Sequence, residues 1–160
     1  MSAAAPSAAP MAREVTITRL VAAPRDLVFR AWTEPAHLAR WWGPQGFTNP
    51  VCEVDARVGG ELRIVMRGPD GTDYPMRGVF REVVAPVRLV FTNFPVDAQD
   101  RPLMDGLTTV TFAEEGSGTR LTIATRASGL AAVAARMLEG MQAGWTQSID
   151  RLEAYVTTAA

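Results

Sequence analysis

The stretch 130–156 constrains the fold most, because it is the one long segment with helical periodicity. Its apolar residues recur at spacings of three or four, which aligns side chains along one face of an α-helix. These residues are Val133, Met137, Met141, Trp145, Ile149, Leu152 and Val156. An unbroken helix of this length would measure about 40 Å. So long an apolar face needs a broad partner surface, and the strands predicted before it can provide one.

The segment before this helix predicts six strands, because apolar and polar residues alternate between turn signals. The predicted strands are 48–57, 61–67, 74–84, 88–94, 106–114 and 119–126. Short connections between consecutive strands indicate antiparallel hairpins. The longest connection, 95–105, is polar, and we expect it to be a solvated loop or a mobile flap.

One strand and two short helices are predicted ahead of these six strands. Residues 13–21 alternate as a half-buried strand. Pro24 suits the first turn of a helix, and Pro35 ends it near Thr33 by disfavouring helical backbone in the residue before proline. A second helix is predicted over 35–41. The resulting fold class is α+β, with a curved antiparallel sheet wrapped around the long C-terminal helix.

Composition places the chain of 160 residues, 48% hydrophobic and 21% charged, among single-domain globular proteins. The formal net charge is -1 and the arginines are scattered, so we expect no nucleic-acid or membrane partner. No segment approaches the ~20 apolar residues of a membrane span. One cysteine and one histidine form neither an internal disulfide nor a common zinc site. We therefore expect no metal, no cofactor and a cytoplasmic location.

The beginning of the chain, MSAAAPSAAPMA, differs in composition from the rest. It lacks a positive amino-terminal region, and two prolines interrupt the apolar core that a signal peptide requires. We expect a disordered tail over residues 1–12 and a single folded domain over residues 13–157.

Several motifs resemble those of a known family. Phe29-Arg30-Ala31-Trp32-Thr33-Glu34-Pro35-Ala36-His37-Leu38 is followed by Trp41-Trp42-Gly43-Pro44. Further motifs are Asp55-Ala56-Arg57-Val58-Gly59-Gly60, Met66-Arg67-Gly68-Pro69-Asp70-Gly71, Gly78-Val79-Phe80, Leu89-Val90-Phe91-Thr92, Gly118-Thr119-Arg120-Leu121-Thr122 and Gly144-Trp145. In these residues and their order the chain resembles the activator-of-Hsp-ATPase (Aha) homologue family of the START-related superfamily known as SRPBCC.

This resemblance covers about residues 13–156 and implies the helix-grip (START / Bet v-like) fold, which agrees with the predicted architecture. Better-known relatives include co-chaperone domains, lipid carriers, polyketide cyclases and antibiotic-resistance proteins, which share a cavity between the helix and the sheet. Fold alone does not select among these functions, so function has to be argued from the site.

The side chains expected around such a cavity are large and adaptable. They are Trp32, Trp41, Trp42, Met66, Met76, Phe91, Phe94, Met137, Met141 and Trp145. Methionine fills irregular space, and tryptophan offers a wide apolar face with one N–H donor, which suits an apolar ligand. Plain core packing is the alternative for each residue taken singly. We expect access past the short helix near His37 and past the 95–105 connection.

No catalytic residue emerges from the sequence, so the catalytic set stays unknown. His37 is the only histidine, the residue type used most often as a general base, but a stacked or solvent-facing histidine is the alternative. Cys52 has apolar neighbours and no adjacent base, which favours a buried, inert thiol over a nucleophile.

Charged residues around Gly59 and on the neighbouring predicted strands admit two interpretations. They are Asp55, Arg57, Glu61, Arg63, Arg67, Arg77 and Arg81. They can point inward as anchors for a ligand carboxylate or phenol, or form ion pairs across strands on the solvated face. The loop acids Asp97, Asp100 and Asp105 are too sparse for a metal site.

Three functions are compatible with these observations. The favoured one is binding of a small hydrophobic or aromatic ligand between the sheet and the C-terminal helix. The second, implied by the resemblance, is a co-chaperone-like module that regulates a heat-shock chaperone ATPase. The third is an enzyme of the cyclase or hydrolase type that acts on a cavity-bound aromatic molecule. A monomer and a homodimer both remain open.

Overall fold

The computed structural model describes residues 12–159. The predicted tail therefore falls outside the described residues except for Ala12, which is the first residue of a strand and pairs with Ser128. No helix within residues 12–159 is long and apolar enough to span a membrane.

Eight strands and four helices follow one another along the described chain. They are β1 (Ala12–Val21), α1 (Arg25–Thr33), α2 (Pro35–Trp41), β2 (Thr48–Val54), β3 (Glu61–Arg67), β4 (Asp73–Val84), β5 (Arg88–Thr92), β6 (Phe94–Pro95), β7 (Met104–Glu115), β8 (Gly118–Gly129), α3 (Ala134–Glu139) and α4 (Met141–Ala159). Most predicted strand boundaries lie within three residues of these.

The strands form one antiparallel sheet in the order β1-β8-β7-β5-β4-β3-β2, and the short β6 pairs with β4. Strands β2 to β5 pair in sequence, as do β7 and β8, whereas β1 lies beside β8 from the far end of the chain. The curved sheet and the helices that follow it confirm the predicted helix-grip architecture.

The sheet buries alternate side chains, as predicted. Val110 and Phe112 on β7, and Leu121 and Ile123 on β8, are at most 1% exposed, because each points to the concave face. On that face they lie in one core with the last part of α4, whose Ile149, Leu152 and Val156 are all 0% exposed. The apolar face of the C-terminal helix therefore meets the sheet here, as its periodicity predicted.

The C-terminal helix is divided, and the prediction of one unbroken helix over 130–156 is wrong. Strand β8 continues to Gly129, residues 130–133 form a bend and turn, and α3 and α4 meet at Gly140. The Gly140 N–H donates to the Arg136 carbonyl at 3.1 Å and closes α3. Glycine costs about 1 kcal/mol relative to alanine in a helix, so residue 140 is a weak point. Apolar spacing could not reveal the break because the spacing continues through it.

The junction of α1 and α2 lies where the prolines predicted it. Thr33 ends α1, Glu34 is extended with φ −102° and ψ 124°, and Pro35 begins α2. The Trp41 indole N–H donates to the Ala31 carbonyl at 2.9 Å and fastens α2 to α1. This bond fixes the direction in which the chain leaves α2, and therefore the position of the loop that follows.

The 95–105 connection is more ordered than the sequence suggested. The predicted strand 88–94 is interrupted at Asn93, whose N–H donates to the Gly106 carbonyl at 3.0 Å. The approach is so close that a Cβ on Gly106 would lie 2.3 Å from the Asn93 carbonyl oxygen. Val96, which is 4% exposed, then pairs with Pro102. The Val96 N–H also donates to the Pro75 carbonyl at 3.1 Å, so the start of the connection is held against β4.

Candidate ligand-binding site

A cavity of about 460 Å³ lies between the sheet and the junction of α3 with α4. The helices contribute Arg136, Met137, Gly140, Met141, Gly144, Trp145 and Ser148. The sheet and the 95–105 connection contribute Met66, Tyr74, Pro75, Met76, Asn93, Pro95 and Met104. The loop between α2 and β2 contributes Trp42, Gly43, Pro44 and Phe47. An apolar wall with a few polar groups is typical of small-molecule sites.

Small residues on the helical wall leave this space open. Gly140, Gly144 and Ser148 are spaced by four, so they share one helical face. A Cβ added to Gly144 would meet no atom within 4 Å, so packing does not require glycine there. Glycine inside a helix is normally unfavourable. The cavity therefore contains room that a larger side chain at position 144 would fill.

The loop over residues 42–47 forms one rim of the cavity and is held against α4 by Arg151. The Arg151 guanidinium donates to the carbonyl oxygens of Trp42, Gly43 and Pro44 at 3.1, 2.9 and 2.9 Å. Burial lowers the pKa of Arg151, because water is partly excluded from its charge. The Gln45 N–H also donates to Gln147 Oε1 at 3.0 Å. Two polar residues of α4 thus position a rim built from backbone.

Four tryptophans form a continuous layer on the side of the cavity that carries the loop over residues 42–47. Trp145 stacks on Trp32 with ring centroids 6.3 Å apart and 18° between the planes. The rings of Trp145 and Trp42 pack edge to face with centroids 5.5 Å apart, and the ring centroids of Trp41 and Trp32 are 4.7 Å apart. Trp42 and Trp145 face the cavity, while Trp32 and Trp41 support them from the core. This layer gives the cavity a broad and well-supported aromatic surface.

Six of the ten predicted ligand-binding residues come together on the cavity wall: Trp42, Met66, Met76, Met137, Met141 and Trp145. The other four do not line it. Trp32, Trp41 and Phe91 are at most 2% exposed and belong to the core behind the wall. Phe94 is half-buried on β6, opposite Arg77.

The polar side chains of the wall were not predicted from the sequence; they are Arg136, Asn93, Tyr74 and Ser148. One of them was signalled by position: Tyr74 lies two residues before Met76 on the same strand. Residues two apart on a strand share a face, so Tyr74 could have been placed beside Met76. Asn93 could not, because it occupies an irregularity between β5 and β6.

The two candidate catalytic side chains lie away from the cavity wall. His37 Nδ1 hydrogen-bonds with the Tyr155 hydroxyl at 2.5 Å, and its Nε2 is 3.2 Å from a Glu34 carboxylate oxygen. Cys52 is half-buried on β2, where burial, with a smaller effect from Glu53, raises the pKa of its thiol to about 11. A thiol with so high a pKa is a poor nucleophile at neutral pH.

The charged residues around Gly59 and on the neighbouring strands were expected to be either ligand anchors or surface ion pairs. Most of them form exposed ion pairs. Arg57 pairs with Asp55 at 2.8 Å, Arg67 with Asp73 at 2.7 Å, and Arg63 with Glu53 at 3.6 Å. Arg77 pairs with Asp100 of the 95–105 connection. Within residues 12–159, no three His, Cys, Asp or Glu side chains gather as a possible metal site.

A second groove of about 600 Å³ lies where the ends of β1, β7 and β8 meet. Charged residues of both signs line it: Arg13, Glu14, Arg81, Asp105 and Arg126. Because mixed charges attract water and each other, this groove suits an apolar ligand poorly. The cavity under the helices is the better candidate although it is smaller.

Comparison with known proteins agrees with this architecture. Residues 22–157 match the family described as activator of Hsp90 ATPase homolog 1-like protein. A Chromobacterium violaceum protein of known structure is 32% identical, with a TM-score of 0.75, over 89% of this chain and 96% of its own. A Nitrosomonas europaea protein is 30% identical, with a TM-score of 0.75, over 91% and 95%.

The AHSA1 protein of Silicibacter pomeroyi is 23% identical and has the same fold, with a TM-score of 0.76 over 92% of this chain and 100% of its own. No curated protein matches the chain.

Proposed function

Because the chain belongs to the activator of Hsp90 ATPase homolog 1-like family, whose helix-grip fold is in general a ligand-binding fold, we propose that it binds a small hydrophobic or aromatic molecule. The cavity of about 460 Å³ under α3 and α4 is the observation that supports this most directly. Its volume falls in the usual range for small-ligand sites.

The wall chemistry favours an apolar occupant of variable shape. Five methionines line the cavity, and their flexible thioethers adapt to different partners: Met66, Met76, Met104, Met137 and Met141. The Trp145 ring supplies a flat surface on the same wall. Apolar burial contributes about 25 cal/mol for each Å² removed from water, so a ligand of a dozen carbon atoms would bind mainly through its area.

Binding without chemistry fits the cavity better than catalysis does. Of the described residues that line it, none is Asp, Glu, His or Cys, and the one phenol, that of Tyr74, belongs to a side chain that is 39% exposed. Proton-transfer catalysis needs an acid or base within hydrogen-bonding reach of the substrate. We therefore propose a binding protein, with one domain over residues 13–157 and a cytoplasmic location as parts of the same proposal.

A co-chaperone-like module remains the alternative, and it rests on the family alone. An interaction of that kind would not need the cavity, so blocking the cavity would leave it intact. This difference separates the two functions experimentally.

The test uses the neutral fluorophore N-phenyl-1-naphthylamine as the ligand. We expect saturable fluorescence enhancement with the wild-type protein and a change in tryptophan emission, since Trp42 and Trp145 line the cavity. The variant Gly144→Leu places a side chain in the open space and should weaken binding at least tenfold. The matched control is Ala143→Leu, which adds a similar side chain at an exposed position on the same helix.

Absence of saturable binding to the wild type would contradict the proposal and favour a chaperone-ATPase assay next. Equal binding by Gly144→Leu, with a melting temperature like that of the control, would place the fluorophore elsewhere. Native mass spectrometry of the protein purified without added ligand would then identify any molecule that it carries.

A further inference from the structure

We propose that the natural ligand of this cavity is an amphipathic anion whose negative head group is bound by Arg136 while its apolar body lies against Trp145 and the methionines. This inference rests on the proposed function and narrows it to one chemical class. It predicts a carboxylate, sulfonate or phosphate at one end of the ligand.

The charge of the cavity is the first support. Among the described residues that line it, Arg136 is the one with a formal charge. Within residues 12–159, no Asp or Glu lies within salt-bridge distance of its guanidinium. No opposite charge on the described wall compensates it, so the cavity has a net positive charge that favours anions over cations.

The position of Arg136 is the second support. The residue is exposed and also lines the cavity, so it stands at the opening. It belongs to the last turn of α3, whose carbonyl oxygens at Leu138 and Glu139 each accept a hydrogen bond from the Arg13 guanidinium at 3.2 Å. These bonds fasten α3 to β1. A head group at Arg136 would stay near water while the apolar body reaches inward, as amphipathic groups prefer.

Asn93 supplies a second donor on the wall. Its Oδ1 accepts a hydrogen bond from the Thr108 hydroxyl at 2.7 Å, and Thr108 in turn pairs with the Thr125 hydroxyl at 2.8 Å. Both threonines are buried, so this chain of bonds keeps the amide oxygen occupied. The amide nitrogen, which has no acceptor among the described residues, is left to donate. A ligand with oxygen acceptors matches a wall that offers donors.

The experiment compares two fluorophores that share one skeleton. N-phenyl-1-naphthylamine is neutral, and 8-anilinonaphthalene-1-sulfonate adds a permanent negative charge. The variant Arg136→Gln should weaken sulfonate binding about tenfold, the lower range for a charge-assisted hydrogen bond that is partly solvated, and leave the neutral probe unchanged. Arg136→Lys should restore most of the loss, and added salt should weaken only the sulfonate.

The control is Arg126→Gln, which removes an exposed arginine that does not line this cavity. We expect both probes to bind this variant as they bind the wild type. Equal sulfonate affinity for the wild type and Arg136→Gln would overturn the inference, while the neutral probe could still bind and uphold the proposed function. Failure of both probes with the wild type would overturn the proposed function itself.

Discussion

The two ends of the C-terminal helical segment meet the same sheet but form different surroundings. We call residues 149–156 of α4 the closed end and residues 136–148 of α3 and α4 the open end. At the closed end Ile149, Leu152 and Val156 are 0% exposed. At the open end Met137 and Trp145 continue the same periodicity and are only half-buried, because they face a cavity. Apolar periodicity thus predicts which way a side chain points, but not whether the sheet meets it.

The difference comes from what lies opposite and beside each end. The closed end shares its core with Phe29 and Phe112, whose rings pack edge to face at 5.1 Å. The open end carries Gly140 and Gly144 beside its methionines, and adaptable side chains on the opposite wall. Stability and binding are therefore assigned to different parts of one helical segment, which mutations can separate.

Truncation at the closed end should have the largest effect on stability. Leu152→Ala leaves a void among fully buried neighbours and should lower the free energy of unfolding by about 3 kcal/mol. Met141→Ala at the open end should cost less than about 1.5 kcal/mol, because this side chain already borders empty space. Urea denaturation of both variants measures the difference. Equal losses would mean that the open end is packed as tightly as the closed end.

Arg151 connects the two ends, because it lies within the closed end but holds the rim of the open end. Arg151→Met keeps an apolar stem and removes the donors to the carbonyls of Trp42, Gly43 and Pro44. We expect a loss of about 2 kcal/mol in unfolding free energy and faster proteolytic cleavage within residues 42–47. Exposed Arg40 provides the control, Arg40→Met. Unchanged cleavage in Arg151→Met would show that the rim does not depend on this arginine.

A smaller effect of opposite sign is expected inside the open end. Gly144→Ala adds a methyl group that meets no atom within 4 Å, so it should raise the unfolding free energy by about 0.5–1 kcal/mol through helix propensity. Gly43→Ala should lower it, because φ is +97° there and the new Cβ would lie 2.8 Å from Met66 Sδ. Thermal melts distinguish the two. A destabilised Gly144→Ala would indicate that the space is smaller than the structure shows.

Sequence patterns predicted the sheet and the closed end well because alternation and helical spacing are local consequences of burial on one face. Val110, Ile123 and Leu152 all lie where their periodicity placed them. The open end was harder to predict from the sequence, because a cavity is the absence of contact and no pattern of apolar residues marks it. Glycines at 140 and 144 were visible in the sequence, but their meaning depends on what lies opposite. The role of Arg151 depends on backbone carbonyls, which have no sequence signature.

The stability of the sheet edge near the open end can be tested through Cys52. Cys52 lies on the edge strand β2, which pairs with the strand that carries Met66 into the cavity. Burial raises the pKa of its thiol from 9.0 to about 11, so the folded state holds this proton more tightly than the unfolded state. Any stability from this group is complete below pH 9 and is lost as the pH rises towards about 11.

Ionisation of the Cys52 thiol should therefore not change the free energy of unfolding near neutral pH. The rate at which the thiol reacts should instead report how often the edge strand β2 opens. At pH 8 iodoacetamide should alkylate the native thiol about a hundredfold more slowly than the urea-unfolded thiol, since two units of pKa separate their thiolate fractions. Mass spectrometry of the time course measures both rates. Alkylation of the native protein at the unfolded rate would mean that β2 opens readily. The cavity would then belong to a loosely held sheet edge instead of a preformed site, and the contrast between the two ends would be one of mobility rather than packing.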